Sequence, residues 1–124
     1  MELGYAYNPT RLVSPDSLLD GRWTRGAARH SLSAAVSAAP AGVADLRLEV
    51  RRVGARYDDD RNTVELPSFT LIGATLSRRI GPWLSASLRA ENLLDARYPV
   101  SRGSTGIEEM GAPRWVLAGL RVQW

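Results

Sequence analysis

The sequence predicts an all-β protein, an antiparallel up-and-down meander of about six strands. Apolar and polar residues alternate with a period of two in several segments, as in strands with one apolar and one polar face. The connections between these segments run long, short, long, short, long. The chain also ends on an aromatic residue, Trp124, inside the last alternating segment. Because chain ends normally fray, an ordered final strand is expected to be paired or read by a partner.

The first half of the chain contains three predicted strands, over residues 2–13, 28–39 and 45–57. The second is rich in alanine and would also suit a helix. The third has the cleanest alternation in the chain. Its phase shifts over residues 52–54, where Gly54 would allow a β-bulge.

The second half contains three more predicted strands. They cover residues 68–79, Leu84 to Glu91, and Val116 to Trp124. In the second of these, four apolar residues alternate with serine, arginine and glutamate. The strand pattern therefore continues to the end of the sequence.

The lengths of the connections assign the two ends of this sheet. Loops over residues 14–27, 58–67 and 95–113 are long, whereas the turns over 40–44 and 80–83 are short. Bacterial outer-membrane barrels have short turns on the periplasmic side and longer loops outside. The pattern therefore favours a membrane barrel, with the three long loops on the outer side.

In such a barrel, one face of each strand meets lipid and the other meets the lumen. A charge on the lipid face costs about 2–4 kcal/mol at mid-membrane, so a bilayer requires the charges to be segregated. The predicted lipid-facing residues are Leu46, Leu48, Val50, Ala86, Leu88, Val116, Leu120 and Val122. The predicted lumen-facing residues are Arg47, Glu49, Arg51, Arg89 and Glu91.

Four segments resemble the TonB-dependent outer-membrane receptors, and they occur in that family's order. Residues 91–98 are similar to its ENLFDxxY motif, and residues 111–114 precede a strand that ends on an aromatic, as in the family's last strand. Residues 54–59 and 62–71 resemble the region around the preceding loop. The matching motif residues are Glu91, Asn92, Leu93, Asp95, Tyr98, Gly111, Pro113 and Arg114.

The resemblance implies a receptor for energised uptake of a ferric siderophore, or of a similar bulky nutrient such as cobalamin. Residues 1–124 would be the C-terminal part of its barrel, an incomplete segment of a barrel of about 22 strands. Such a segment is not expected to work alone. The resemblance implies location in the outer membrane of a Gram-negative bacterium, contact with outer-membrane lipid, and energising by the inner-membrane TonB system through parts of the receptor outside this sequence.

Two further features of the resemblance concern export and assembly. The first residues of the chain contain no basic segment followed by an apolar one, so no signal peptide is recognised, and no plug domain is recognised. The final strand resembles the family's signal for the barrel-assembly machinery, which would pair with it by strand addition. The residues of this signal are Val116, Ala118, Leu120, Val122 and Trp124.

Candidate ligand contacts lie in the last long loop. Its charged residues could touch a ferric chelate, since an anionic chelate favours arginine. These residues are Arg97, Arg102, Glu108 and Glu109. Asn92 and Asp95 are instead expected to tie down the base of this loop through side-chain-to-backbone hydrogen bonds.

Other chemistry is not expected. Residues 58–60 are three aspartates, which predict a solvated turn because they lack the spaced oxygens, central glycine and late glutamate of a calcium loop. His30 has no evident metal or catalytic partner, and the chain has no cysteine. We therefore expect no enzyme, no cofactor and no metal site.

The positive charge also needs an interpretation. All 16 basic residues are arginine and the net charge is +3, but they are scattered with few aromatics among them, so no nucleic-acid partner is expected. The alternative function is that of a small soluble antiparallel β-domain acting as a binding or structural module. That alternative requires the apolar side chains to pack into a closed, dry core.

Overall fold

The computed structural model describes residues 1–40, 44–103 and 105–124. Within these ranges the assigned elements are ten strands. They are β1 (Glu2–Tyr7), β2 (His30–Ala38), β3 (Asp45–Val53), β4 (Arg56–Tyr57), β5 (Glu65–Leu66), β6 (Phe69–Arg79), β7 (Leu84–Glu91), β8 (Pro99–Arg102), β9 (Glu108–Met110) and β10 (Trp115–Val122). The described part of the chain contains no helix that is long and apolar enough to cross a membrane.

Six strands form one antiparallel sheet in the order β1-β2-β3-β6-β7-β10. The predicted six-stranded up-and-down meander is therefore confirmed, and the alanine-rich segment is a strand. Two short hairpins, β4–β5 and β8–β9, lie within two of the long connections and were not predicted. Short hairpins escape prediction because two to four residues are too few to show a period.

The first strand is shorter than predicted and ends at Tyr7. The amide N–H of Asn8 still donates to the carbonyl of Arg29, at 2.8 Å. Pro9 then lacks a ladder donor, and the Asn8 side chain accepts the amide N–H of Thr10 at 3.1 Å. The chain therefore turns away from the sheet immediately after β1.

The bulge that Gly54 would allow is not formed. The register between β3 and β6 runs without a shift from Asp45 opposite Ser77 to Val53 opposite Phe69. The strand ends there, and the Gly54 amide donates to the carbonyl of His30 at 2.8 Å. A Cβ at Gly54 would lie 2.7 Å from that carbonyl oxygen, so this position needs glycine for a close backbone approach.

Of the two predicted short turns, the one over residues 80–83 is present. The amides of Ile80 and Gly81 both donate to the carbonyl of Leu84, at 2.8 and 3.2 Å. The turn predicted over residues 40–44 lies largely outside the described residues. The strands on either side of it pair directly, with Ala38 opposite Leu46.

The main sheet has one apolar face and one polar face. The apolar face carries the odd-numbered residues of β1 and the even-numbered residues of the other five strands, as the register requires. The polar face carries the remaining residues. All predicted lipid-facing residues lie on the apolar face, and all predicted lumen-facing residues lie on the polar face.

Charge is strongly divided between these two faces. All four acidic residues of the six strands lie on the polar face, together with five arginines. The apolar face carries two charged residues, Arg52 and Arg78, near its opposite ends. The register assigns the residues of all six strands to one face or the other, whereas lipid-facing and lumen-facing residues were predicted on only three strands.

The described residues form a single layer rather than a closed core. Their buried hydrophobic side chains are Ala35, Val53, Leu66 and Tyr98. Side chains of the apolar face remain exposed, with Leu48 on a central strand 45% exposed and Leu120 on the edge strand β10 74% exposed. The dry core that the soluble β-domain alternative requires is therefore not formed by these residues.

Candidate functional site

Three long connections meet at one end of the sheet. We call them the first loop (residues 8–29), the second loop (residues 54–68, with β4 and β5) and the third loop (residues 92–114, with β8 and β9). They lie at the same end because they follow the first, third and fifth strands of the antiparallel meander, which are β1, β3 and β7. Together they form the loop cluster.

The base of the third loop is held by Asn92, a polar residue that is only 4% exposed. Its side-chain amide donates to the carbonyls of Ala96 and Ala112, both at 3.0 Å, and its side-chain oxygen accepts the Ala96 amide at 2.9 Å. Its backbone φ is 51°, which asparagine tolerates better than most residues. The predicted hydrogen bonds of Asn92 to the loop base are therefore present.

Asp95 and Arg114 close the same loop from its two ends. The backbone N–H of Arg114 donates to the Asp95 carboxylate at 3.0 Å, and the Asp95 amide donates to the Asn92 carbonyl at 2.8 Å. Leu93 continues the sheet contact, since its amide donates to the Ile72 carbonyl at 2.9 Å. The predicted tie by Asp95 is also present.

Tyr98 and Gly111, two of the residues that match the family motifs, pack directly against each other. The Tyr98 ring is buried and stacks on Phe69, with ring centroids 4.1 Å apart. A Cβ at Gly111 would lie 2.1 Å from the Tyr98 ring, and the Gly111 amide donates to the Tyr98 carbonyl at 2.9 Å. Glycine is therefore required at position 111, where the chain passes the Tyr98 ring directly after β9.

Asp58 joins all three loops, which the predicted solvated turn did not anticipate. Its side chain is only 9% exposed. One carboxylate oxygen accepts the Arg102 amide at 2.5 Å and the Ser101 hydroxyl at 2.9 Å, and the other accepts Arg25 at 3.3 Å. The prediction is wrong for Asp58, because residues 25, 101 and 102 reach it only in the folded chain.

These bonds also affect the titration of Asp58. The amide N–H of Arg102 holds the pKa of the Asp58 carboxyl below its ordinary value, and the Ser101 hydroxyl and Arg25 lower that pKa further, whereas burial opposes them. The carboxylate therefore stays ionised at neutral pH. An ionised acceptor strengthens each bond it receives.

Asp59 and Asn62 follow Asp58 in the second loop; Asp59 stabilises that loop, and Asn62 joins it to the first loop. Asp59 accepts the amides of Thr63 and Val64, both within its own loop. Asn62 exchanges two bonds with the backbone of Trp23, at 2.7 and 2.9 Å. Within the described residues, no group of three or more His, Cys, Asp or Glu side chains could hold a metal ion.

The four predicted ligand-contact residues are distributed around the third loop. Arg102 and Glu108 form an ion pair across the β8–β9 hairpin. Glu109 lies opposite Ser101 in the same hairpin, and Arg97 is exposed ahead of it. The structure thus brings two of the four together, and their contact with a ligand stays a prediction.

A pocket beneath the third loop was not predicted from the sequence. It has a volume of about 240 Å³ and opens on the polar face of the sheet. Its lining includes Glu49, Arg51, Glu91, Tyr98 and Trp115. The alternation did place Glu49, Arg51 and Glu91 on one face, but only the folded third loop brings Tyr98 over them.

His30 contacts two tyrosines of β1. His30 stacks on Tyr7, with ring centroids 5.1 Å apart, and its Nδ1 lies 2.8 Å from the Tyr5 hydroxyl.

The even-numbered residues of β10 are exposed on the apolar face, and Trp124, which follows them, is exposed as well. The assembly signal stays a prediction.

Comparison with known proteins now gives the fold a context. No family model matches the sequence. A ferrioxamine receptor of Yersinia enterocolitica is 32% identical over 75 residues, which are 56% of this chain and 11% of the receptor.

Solved structures extend the match to nearly the whole chain. The siderophore receptor PiuA from Acinetobacter baumannii superposes with a TM-score of 0.81, over 96% of this chain and 19% of its own, at 18% identity. The chain has the fold of a siderophore-receptor barrel segment. The ferric yersiniabactin uptake receptor FyuA from Yersinia pestis matches at a TM-score of 0.68, over 77% of this chain and 16% of its own, with 21% identity.

These matches confirm the predicted resemblance to TonB-dependent outer-membrane receptors. The ferric preacinetobactin receptor BauA from A. baumannii gives a TM-score of 0.64 over 95% of the chain, at 24% identity. In each case the chain spans less than a fifth of the receptor's length. Its six strands correspond to one sector of a siderophore-receptor barrel.

Proposed function

We propose that the chain forms part of the transmembrane wall of an outer-membrane receptor for a ferric siderophore. The observation that carries this proposal is the division of the sheet into an apolar face without acidic residues and a polar face with all of them. A bilayer on one side and a water-filled lumen on the other require this division. The role is transport, and no chemical reaction is proposed.

The ligand class follows from the relatives. The similar proteins are named as receptors for ferrioxamine, ferric yersiniabactin and ferric preacinetobactin. This supports a ferric siderophore over cobalamin for this chain. In the whole receptor, the loop cluster would meet the chelate on the outer side, with Arg97, Arg102, Glu108 and Glu109 as candidate contacts, and the inner-membrane TonB system would energise uptake.

The edges of the sheet support a role within a larger barrel. Six strands are fewer than the eight or so of the smallest membrane barrels. The outer edges of β1 and β10 carry backbone groups that the main sheet does not pair, and each such group costs several kcal/mol in hydrocarbon. We therefore propose that residues 1–124 act with further strands, assembled by the barrel-assembly machinery, and not as a transporter alone.

Membrane location is tested by fractionation. The chain is expressed behind an export leader in a Gram-negative host, and the envelope is separated into inner and outer membranes. We expect the chain in the outer-membrane fraction, resistant to extraction with alkaline carbonate and released by detergent. A chain that stays monomeric and unfolds cooperatively in plain buffer would instead establish the soluble β-domain.

The ligand class is tested separately, in a receptor. The chain replaces the corresponding strands of PiuA, and binding of iron-loaded hydroxamate, catecholate and mixed-ligand siderophores is compared with binding of cobalamin. We expect binding of at least one ferric siderophore, weakened by the double change Arg97→Ala and Arg102→Ala. A chimera that assembles and binds only cobalamin would contradict the siderophore assignment.

A further inference from the structure

The two arginines of the apolar face mark its two ends. On β6, the apolar residues Ile72, Ala74 and Leu76 lie between Thr70 and Arg78, while Arg52 lies opposite Thr70 on β3. Eight residues at about 3.3 Å each cover about 26 Å along the strand, and a strand tilt near 40° reduces this to a height of about 20 Å. That height is close to the apolar band of about 25 Å in outer-membrane barrels, so Arg52 lies at the outer water–lipid boundary.

Arg52 is not neutralised by the protein. Its guanidinium donates to the hydroxyls of Thr70 at 3.1 Å and Ser68 at 3.4 Å, and no carboxylate among the described residues pairs with it. On the polar face, Arg47 pairs with Glu2 and Glu49, and Arg89 pairs with Glu91. Among the described residues, Arg51 of that face has no ion pair either, so Arg52 differs from Arg51 in the face on which its charge lies. The exposed charge of Arg52 therefore faces the membrane side without a protein counter-ion.

Aromatic side chains lie on the same face as Arg52, two strands away and at the same level of the sheet. The register places Tyr5 opposite Leu32, and Leu32 opposite Arg52, while Tyr7 lies opposite His30 in the next row outward. Both tyrosines are more than half exposed and contact His30. Amphipathic rings of this kind settle at the level of lipid headgroups.

We propose that Arg52 binds the phosphate group of an anionic lipid at the outer rim of the apolar face. The Ser68 and Thr70 hydroxyls orient the guanidinium, and Tyr5 borders the headgroup. The acyl chains then lie along the apolar residues next toward mid-membrane, which include Val50. Guanidinium is suited to this ligand because its fork of N–H donors matches phosphate oxygens.

The apolar surface next to Arg52 favours a lipid over other anions. A soluble anion would not cover the apolar surface that begins one residue pair below Arg52. An acidic protein segment would leave that surface uncovered as well. A phosphorylated lipid satisfies both parts, because its headgroup is anionic and its tails are apolar. The inference rests on the proposed membrane location of the sheet.

The test measures binding of the whole chain to vesicles. The chain, folded in detergent with a β-sheet circular dichroism spectrum, is diluted into vesicles of phosphatidylcholine alone or with phosphatidic acid added, and bound protein is separated by flotation. Arg52→Gln is compared with Arg52→Lys, which keeps the charge, and with Arg51→Gln. Arg51 is the matched control, since it is adjacent and exposed but lies on the polar face.

We expect phosphatidic acid to strengthen binding of the unaltered chain, and Arg52→Gln to reduce that gain about five-fold. Arg52→Lys should keep most of the gain, and Arg51→Gln should keep nearly all of it. Equal losses in Arg51→Gln and Arg52→Gln would reveal attraction by net charge and overturn the proposal. Reversal of the gain by millimolar inorganic phosphate would overturn the lipid assignment in favour of a free anion.

The same experiment separates the two proposals. A chain that binds both vesicle types equally, with or without Arg52, contradicts the phosphate site and leaves the membrane location intact. A chain that floats with neither vesicle type contradicts the phosphate site, and the fractionation experiment then decides the membrane location separately.

Discussion

The sheet and the loop cluster are held together in different ways. The sheet is a single layer whose apolar side chains are largely exposed, and its internal contacts are backbone hydrogen bonds and neighbouring side chains. Of the four buried hydrophobic residues, Leu66 and Tyr98 lie in the loop cluster, and Val53 lies directly before it. It also contains the buried Asn92 and the largely buried Asp58 side chain.

The difference shows what each region needs from its surroundings. The sheet depends on lipid against one face and water against the other, because it buries little by itself. The loop cluster supplies its own contacts, through side chains that accept or donate several backbone bonds each. Changes on the sheet should therefore act through the membrane, and changes in the cluster should act locally.

The largest expected effect comes from placing a charge on the apolar face. Leu88→Arg puts a guanidinium opposite Leu76 and Ala118, in the middle of that face. In the chimera with PiuA, which supplies the remaining strands, we expect it to lower the free energy of unfolding in lipid vesicles by about 2–4 kcal/mol. Urea unfolding followed by tryptophan fluorescence measures this change.

The matched control for this change is one residue away. Ser87→Arg adds the same side chain to the same strand but on the polar face, opposite Ser77 and Gly119. It should cost less than about 1 kcal/mol, since the guanidinium stays in water. Equal losses for the two variants would show that the two faces have the same surroundings.

A smaller, local effect is expected from Gly111→Ala. The added methyl group would overlap the Tyr98 ring, which is itself held against Phe69. Overpacking of this kind costs about 1–3 kcal/mol. Amide hydrogen exchange should accelerate in the third loop and stay unchanged in β2 and β3.

Gly103→Ala is the control for that substitution. Gly103 lies in the same loop, and a Cβ there would make ordinary contacts at 3.7 Å. We expect little change in exchange for this variant. If Gly103→Ala loosened the third loop as much as Gly111→Ala, the contact with Tyr98 would not be what fixes the loop.

The smallest expected effect is that of Asp58→Asn. The amide keeps the shape of the carboxylate but removes the charge that strengthens its bonds to Arg102 and Arg25. We expect the contact between the second and third loops to weaken by about 1–2 kcal/mol. Asp60→Asn, at an exposed position two residues along, should have no measurable effect.

The same contact should respond to pH in a defined direction. The folded pKa of Asp58 is lowered from 3.8, so its ionised form stabilises the folded loops above that value, and the contribution is lost as pH falls through the lower folded pKa. Protection of the Arg102 amide should therefore be constant between pH 5 and 8 or so and fall only below about pH 4. Loss of protection between pH 5 and 7 would show that another group controls the contact.

Much of the fold could be predicted from the sequence because strand periodicity is a local property. The alternation around Leu46 and Leu88 gave the strands and their faces, and the loop lengths gave the two ends of the sheet. The motif around Asn92 and Asp95 also gave their bonds to the loop base, since these bonds span a few residues or the two ends of one loop. The shift in alternation near Gly54 has another cause than a bulge, because β3 ends at Val53.

The sequence by itself determined the six-stranded meander and its apolar and polar faces, because neighbouring residues alone show the period of two. It also determined the two ends of the sheet, through the lengths of the connections. Only the tertiary structure decided the partners of Asp58, which lie 33 to 44 residues away, and the fit of Gly111 under the Tyr98 ring. Those contacts form where separate loops meet, and that meeting depends on the register of the whole sheet.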